Sequence, residues 1–241
     1  MSISLSTDNI RGILLDVEGT TTPIDFVYGV LFPYVRAQVG EFLEVNAADP
    51  EVQQILQGLK LEHENETRGN LMTPAWHDHP IEYINWLMDQ DRKMTALKAL
   101  QGRIWLQGYQ SGKLKGRVFP DVAANLRKWH DNNIDIRVFS SGSTLAQRLL
   151  FSSTADGNLS PWIKEHFDTN VGAKIDPASY TAIASAFQLK PKQILFISDV
   201  TRELDAARQA GMKTVLCMRP GNHPQVMHDH KAISSFEEIL D

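Results

Sequence analysis

A single cysteine, Cys217, stands in 241 residues. No intrachain disulfide can form, and a reducing compartment suits such a chain. No apolar run approaches the ~20 residues that a membrane-spanning helix needs. The N-terminus, MSISLSTDNIRG, has neither a basic stretch nor a long apolar core, so it does not read as a signal peptide. Basic blocks are missing too: 24 Lys+Arg against 29 Asp+Glu leave a net charge of −5. That balance argues against nucleic acid or an anionic membrane as partner. Internal repeats and low-complexity stretches are also absent. What remains is an ordinary globular composition, long enough for one large domain or a core with a smaller module. A soluble, cytoplasmic, monomeric protein is the expectation.

The chain changes character twice. Residues 10–17, IRGILLDV, form a short apolar run broken by Gly19 and three threonines, which reads as a buried strand feeding a loop. From Pro23 to Lys115 the patterns are helical. Asp49-Pro50 opens one helix, with Val52, Ile55, Leu56 and Leu59 on a face, and Pro80 opens another, with Ile81, Ile84 and Leu87 or Met88. A third is expected between Thr95 and Tyr109. After Gly116 helix and strand alternate. The expected order is a helix over 121–132, a strand over 134–139, a helix after Asp176-Pro177, a strand over 194–197, a helix over 202–210 and a strand over 214–218. Ser235 and Glu238 form a capping box for a last short helix. The expected architecture is an α/β, Rossmann-like parallel sheet flanked by helices, with core residues 1–22 and 116–241. The helical insertion over 23–115 is too long for a loop and is expected to be a domain of its own.

In open parallel sheets, ligands bind beyond the carboxyl ends of the strands. The residues ending the apolar runs are Asp16 and Glu18, Ser140 and Ser141, and Ser198 and Asp199, while Lys174 precedes a helix. A carboxylate at a strand end can be a mere helix cap, but the set together suits a phosphate and a hard cation. Mg²⁺ takes oxygen ligands and keeps several waters, so Asp16 and Asp199 suffice as its carboxylates. Ser140 and nearby backbone N–H groups suit phosphate oxygens, and Lys174 adds a positive charge.

The run DVEGTT at 16–21 resembles the first motif, DxDxT, of haloacid dehalogenase-type phosphatases. Ser140 or Ser141 is similar to their second motif, Lys174 to the third and SDVTRE at 198–203 to the fourth. The resemblance spans essentially the whole chain, and many members carry a helical cap directly after motif one. Glu18 departs from the usual Asp. Together with DVEGTTTPIDFV, VFSSGS and SDVTRELDAAR, it resembles the bifunctional enolase-phosphatases (acireductone synthases) of methionine salvage. That likeness implies a small phosphorylated diketone as substrate, enolised and then dephosphorylated. Carried onto this chain, it implies Asp16 as nucleophile, Glu18 as acid and base, and Ser140, Ser141 and Lys174 as substrate-binding groups. It further implies Asp16, Asp199 and the Glu18 carbonyl as Mg²⁺ ligands, with Glu203 supporting the metal waters or Lys174.

Other functions share parts of this pattern. A haloacid dehalogenase uses an Asp nucleophile but needs neither Mg²⁺ nor a carboxylate at position 18. A sugar-phosphate phosphatase or phosphomutase shares the core, and only Glu18 and the cap set it apart. A silent binding domain has no use for so much clustered like charge. His77-Asp78-His79, and His223, His228 and His230, lack a clear third ligand and read as surface chemistry. Trp76, His77, Tyr83 and Trp86 read mostly as a packed helical face, with substrate contact as the alternative. Cys217 reads as an inert core residue.

Overall fold

The computed structural model describes residues 3–68, 72–92, 94–224 and 228–240. The chain divides into two compact units, Met1–Val27 with Lys115–Asp241, and Tyr28–Leu114. The first border lies five residues past the expected 22/23. The helical turn α1 (Ile24–Phe26) still belongs to the first unit, where Phe26 is buried and Asp25 pairs with Arg117 at 2.7 Å.

The helical unit contains α2 (Phe32–Val45), α3 (Pro50–Thr67), α4 (Ile81–Asp89) and α5 (Thr95–Gln110). Asp49 caps α3, accepting from the N–H of Glu51 and Val52, and Pro50 takes the first helical position. Arg103 of α5 ties down that same start, bonding Asp49 and Glu51 at 2.6 Å each. Val52 and Leu59 are buried, as are Tyr83, Ile84, Leu87 and Met88 of α4. Tyr83 sits in an aromatic cluster, 4.8 Å from His63 and 5.9 Å from each of Trp76 and Trp86, ring centre to ring centre. Packing therefore accounts for most of the aromatic face seen in the sequence.

The α/β unit opens with β1 (Ile3–Ser4), which pairs in parallel with the last strand, β8 (Ile239–Leu240). The main sheet holds β2 (Gly12–Leu15), β3 (Asp135–Phe139), β4 (Glu165–Phe167), β5 (Ile194–Ser198), β6 (Lys213–Cys217) and β7 (Lys231–Ile233). All six are parallel, in the order β4-β3-β2-β5-β6-β7. β2 and β5 are buried along their whole length, so both read as unbroken apolar runs. Four further helices are α6 (Val122–Asp131), α7 (Thr144–Ser152), α8 (Pro177–Phe187) and α9 (Thr201–Gln209). Tyr180, Ile183 and Phe187 of α8 and Leu204 and Ala207 of α9 share a core with Leu14, Phe139, Phe196 and Leu216 of the strands. The last helix is a single 3-10 turn over Phe236–Glu238, and both bonds of the expected capping box are present.

From β2 the chain works outward to β3 and β4, then returns past β2 to β5 and continues to β6 and β7. The order is that of doubly wound nucleotide-binding sheets, whose ligand crevice opens where the winding direction reverses. Here that point lies between β2 and β5. Leu15 stands opposite Ile197, and the Asp16 N–H donates to the Ile197 carbonyl at 3.0 Å. The sheet topology alone thus delivers the residues after Leu15 and Ile197 to one crevice.

Trp129 is fully buried, 5.2 Å from the Phe236 ring. Trp129→Ala should lower the stability of the α/β unit by about 3–5 kcal/mol. Urea unfolding should then show an earlier midpoint with an unchanged slope.

Candidate active site

Past Leu15 the chain folds into a tight turn. The Val17 carbonyl accepts from the N–H groups of Thr20, Thr21 and Thr22 at 3.3, 3.0 and 2.9 Å, and Gly19 N–H donates to the Thr22 carbonyl at 2.8 Å. Thr21 Oγ1 lies 3.1 Å from the Asp16 carbonyl and 3.2 Å from that of Val17. Gly19 has φ +74°, and a Cβ there would lie 2.3 Å from Asp199 Oδ2. Only glycine both adopts this conformation cheaply and lets the loop after β5 approach so closely.

Asp16 is buried. Its Oδ1 accepts from the Val17 N–H at 2.8 Å and from Lys174 Nζ at 2.5 Å, and its Oδ2 accepts from Ser198 Oγ at 3.1 Å. Lys174 also reaches Glu203 Oε2 at 2.7 Å. The loop that carries Lys174 is tied to α8: Asp176 caps the helix through the Ala178 N–H, Ser179 Oγ donates to the Ala173 carbonyl and Tyr180 OH donates to the Lys174 carbonyl at 2.7 Å. The spacing of lysine, proline and tyrosine in the sequence thus serves to aim one ammonium. Burial opposes the charge on Lys174, but Asp16 and Glu203 outweigh it and hold the ammonium well above its ordinary range.

Ser198 closes the cluster. Its Oγ lies 3.1 Å from Asp16 Oδ2 and 3.0 Å from Glu203 Oε2, and accepts from the Val200 N–H at 3.1 Å. One hydroxyl proton cannot serve two ionised carboxylates at once; a Glu203 that keeps its own proton instead donates to Ser198 Oγ, which leaves the hydroxyl proton for Asp16. Burial, reinforced by the Asp16 charge, pushes Glu203 up to about 8 and Asp199 up to about 7. Glu18 is half-buried and points into the same region, where Ser140 Oγ donates to its Oε2 at 3.2 Å. Loss of solvation and the nearby Asp16 charge raise Glu18 as well. Ser140 is buried at the end of β3 and accepts from the Gly142 N–H at 3.0 Å. Ser141 follows in the same turn, half-buried; among the described residues its hydroxyl joins none of the cluster's hydrogen bonds.

Four carboxylates, Asp16, Glu18, Asp199 and Glu203, therefore crowd around one ammonium. Among the described residues no three His, Cys, Asp or Glu side chains converge as a metal-ligating group. Mg²⁺ asks for less, since one or two carboxylates with water complete its shell. The excess of buried negative oxygen fits a hard divalent cation and suits no soft one. The histidines lie elsewhere: His77, His79, His223 and His228 are exposed, and His230 bonds Asp205 and Thr214. Cys217 is buried, with its thiol pushed up to about 12.

From the sequence Ser198 stood among the strand-end hydroxyls without a role of its own; here its hydroxyl does the bridging. Two residues of this region were not singled out at all: Arg219, whose Nε donates to the Thr20 carbonyl at 3.1 Å, and Asn222, whose Nδ2 donates to the Gly19 carbonyl at 2.9 Å. The signal available was the Pro-Gly pair directly after an apolar strand, a turn signature that brings flanking side chains together.

Comparison with known proteins shows which proteins the chain resembles. A family model described as haloacid dehalogenase-like hydrolase matches residues 10–211. The chain is 48% identical to the enolase-phosphatase E1 of Synechococcus elongatus, covering 96% of this chain and 98% of that protein. It is 45% identical to that of Methylococcus capsulatus, over 90% and 94% of the two chains, and 43% identical to that of Drosophila mojavensis, over 92% and 90%. Among solved structures, the UTR4 protein of Saccharomyces cerevisiae is similar with a TM-score of 0.78 and 33% identity, covering 95% of this chain and 99% of that one. The YfnB hydrolase of Bacillus subtilis, solved bound to magnesium, shares the fold with a TM-score of 0.54 at 16% identity, over 95% and 96% of the chains.

The raised Asp199 carboxyl has a direct thermodynamic consequence. Folded and without a cation, it holds a proton between about pH 4 and 7 that the unfolded chain releases, so its effect on stability turns unfavourable as pH rises through that window. In excess chelator, Asp199→Asn should gain thermal stability over the unmodified chain as pH goes from about 5 to 8. A difference that stays flat with pH would refute the assignment. Gly19→Ala should be folded but nearly inactive, because the new Cβ displaces the Asp199 carboxylate; steady-state phosphate release measures it.

Proposed function

The chain belongs to the enolase-phosphatase E1 family of haloacid dehalogenase-like hydrolases, and on that premise we propose how its residues act and on what. The substrate is a diketo methylthiopentyl phosphate. It is enolised and then dephosphorylated to an acireductone, a step of methionine salvage, by a cytoplasmic monomer. The observation that carries this reading is Asp16, held between Lys174 at 2.5 Å and Ser198 at 3.1 Å, with the raised carboxyl of Glu18 two residues along.

Asp16 Oδ attacks phosphorus and forms an aspartyl-phosphate, which divides one difficult displacement into two easier ones. Glu18 enters protonated, as its environment favours, and gives its proton to the departing enolate oxygen. Once ionised, it takes a proton from the water that hydrolyses the aspartyl-phosphate. Ser140, which already bonds Glu18, and its neighbour Ser141 bind the substrate or its phosphate, and Lys174 balances charge on Asp16. Glu203 keeps Lys174 in place. The carboxylates of Asp16 and Asp199 and the main-chain oxygen of Glu18 are the groups that would hold Mg²⁺, which supplies positive charge where phosphate oxygens meet buried carboxylates. The helical unit is read as the cap that selects the substrate.

Given the diketo phosphate and Mg²⁺, the enzyme should produce enediol absorbance together with inorganic phosphate, and excess chelator should abolish both. Asp16→Asn should release no phosphate, and Glu18→Gln should slow release by about 10²–10⁴-fold. Phosphate release from sugar phosphates and generic esters, with no enediol from the diketone, would make the protein another small-molecule phosphatase of the same superfamily.

A further inference from the structure

Beyond β6 the chain reads Arg219-Pro220-Gly221-Asn222. The Asn222 N–H donates to the Arg219 carbonyl at 3.2 Å, and Gly221 has φ +88°. These are the marks of a type II turn, with proline and glycine in the positions where each is favoured. The turn places two long polar side chains against the loop that carries Glu18. Arg219 Nε donates to the Thr20 carbonyl at 3.1 Å, while its Nη1 bonds Asp121 at 2.9 Å and the Ser234 carbonyl at 3.0 Å. Its guanidinium lies 4.6 Å from the Phe119 ring centre and 4.7 Å from that of Phe236. Asn222 Nδ2 donates to the Gly19 carbonyl at 2.9 Å and to the Cys217 carbonyl at 3.2 Å. Phe119 N–H donates to the Thr21 carbonyl at 3.0 Å. Successive carbonyls of the turn are thus held from outside it.

The amide of Asn222 has only one workable orientation. Both groups it bonds are carbonyl acceptors, so its nitrogen must face them and its oxygen must face away. Among the described residues that oxygen, Oδ1, is buried without a hydrogen-bond partner, which costs free energy unless something donates to it. It lies beside the Asp199 carboxylate: a Cβ built on Gly19 would meet Asp199 Oδ2 at 2.3 Å and Asn222 Oδ1 at 3.1 Å. Two acceptor oxygens, one from the predicted cation ligand, therefore lie close to the same backbone position.

We infer that Asn222 is a positioning residue of the reaction. Its amide nitrogen pins the Gly19 turn that carries Glu18, and its amide oxygen accepts a hydrogen bond from a water on the cation held by Asp16 and Asp199. The inference rests on the metal-dependent reading above. It makes Asn222 a link between the cation's water shell and the acid/base loop.

Calorimetric titration of Mg²⁺, run without substrate, separates the possibilities. In Asn222→Ala the Mg²⁺ affinity should fall about 10–100-fold, the range typical when a partner of a metal's own ligands is lost, and kcat should fall with it. In Asn222→Asp an acceptor still faces the cation but no N–H remains for Gly19. Affinity should then be retained while kcat falls and its pH profile moves, because Glu18 is no longer fixed. An Asn222→Ala protein that melts lower yet binds Mg²⁺ within about twofold of the unmodified enzyme would overturn the inference. So would an Asn222→Asp protein that loses affinity as severely as Asn222→Ala. Failure of the unmodified enzyme to bind Mg²⁺ at all would instead overturn the metal-dependent reading on which the inference stands.

Discussion

Lys174 donates to Asp16 at 2.5 Å and to Glu203 at 2.7 Å, and that one ammonium faces four carboxylates at the carboxyl end of the sheet. At an effective dielectric near 20, a unit pair at about 4 Å interacts by about 4 kcal/mol. Each added carboxylate therefore raises a cost that Lys174 alone does not offset. The upward shifts of Glu18, Asp199 and Glu203 express that surplus. A fold gains nothing in stability from such a cluster. What it leaves is surplus negative charge that a bound cation would offset, and carboxyls that keep a proton near neutral pH.

Most of the surrounding architecture keeps those charges from relaxing apart. Asp16 is fixed through its own backbone to β5, through Oδ1 to the Val17 N–H and Lys174, and through Oδ2 to Ser198. Lys174 is fixed by the first turn of α8, where Tyr180 and Ser179 hold its loop. The Gly19 turn is gripped from the far side by Arg219 and Asn222. Preorganisation of this kind is what an active site needs if charge is to develop without reorganisation around it. The same rigidity explains why Glu18 occupies a defined position although it is only half-buried.

Much of the fold was legible in the sequence wherever burial was complete. β2, β3, β5 and β6 announced themselves as apolar runs because both faces of the sheet are covered. β4 and β7, three residues each, and β1 and β8, two each, are too short to carry any period. Of the helices in the insertion, α2 gave no clear start. It follows a π-helical turn over Val27–Leu31 and has no side-chain cap, although Val35, Val39, Phe42 and Leu43 keep helical spacing and are buried. α3, with Asp49 as cap and Pro50 behind it, was readable for the opposite reason.

For the site, the sequence alone determined the chemical types and their placement. Asp16, Glu18, Ser140, Lys174, Asp199 and Glu203 each lie at or just beyond a strand end or at a helix start, and topology sends all such positions to one edge. Only the tertiary structure decided how they pair. It gave the single Lys174 ammonium to Asp16 and Glu203 together, set Ser198 between two carboxylates, and turned Ser140 toward Glu18. It also brought Arg219 and Asn222 to carbonyls about two hundred positions away in the chain. A main-chain carbonyl is the same group in every residue, so nothing in the letters at 19 and 20 marks them as partners. The choice of partner is made by three-dimensional proximity, which the parallel crossovers create and a linear pattern does not record.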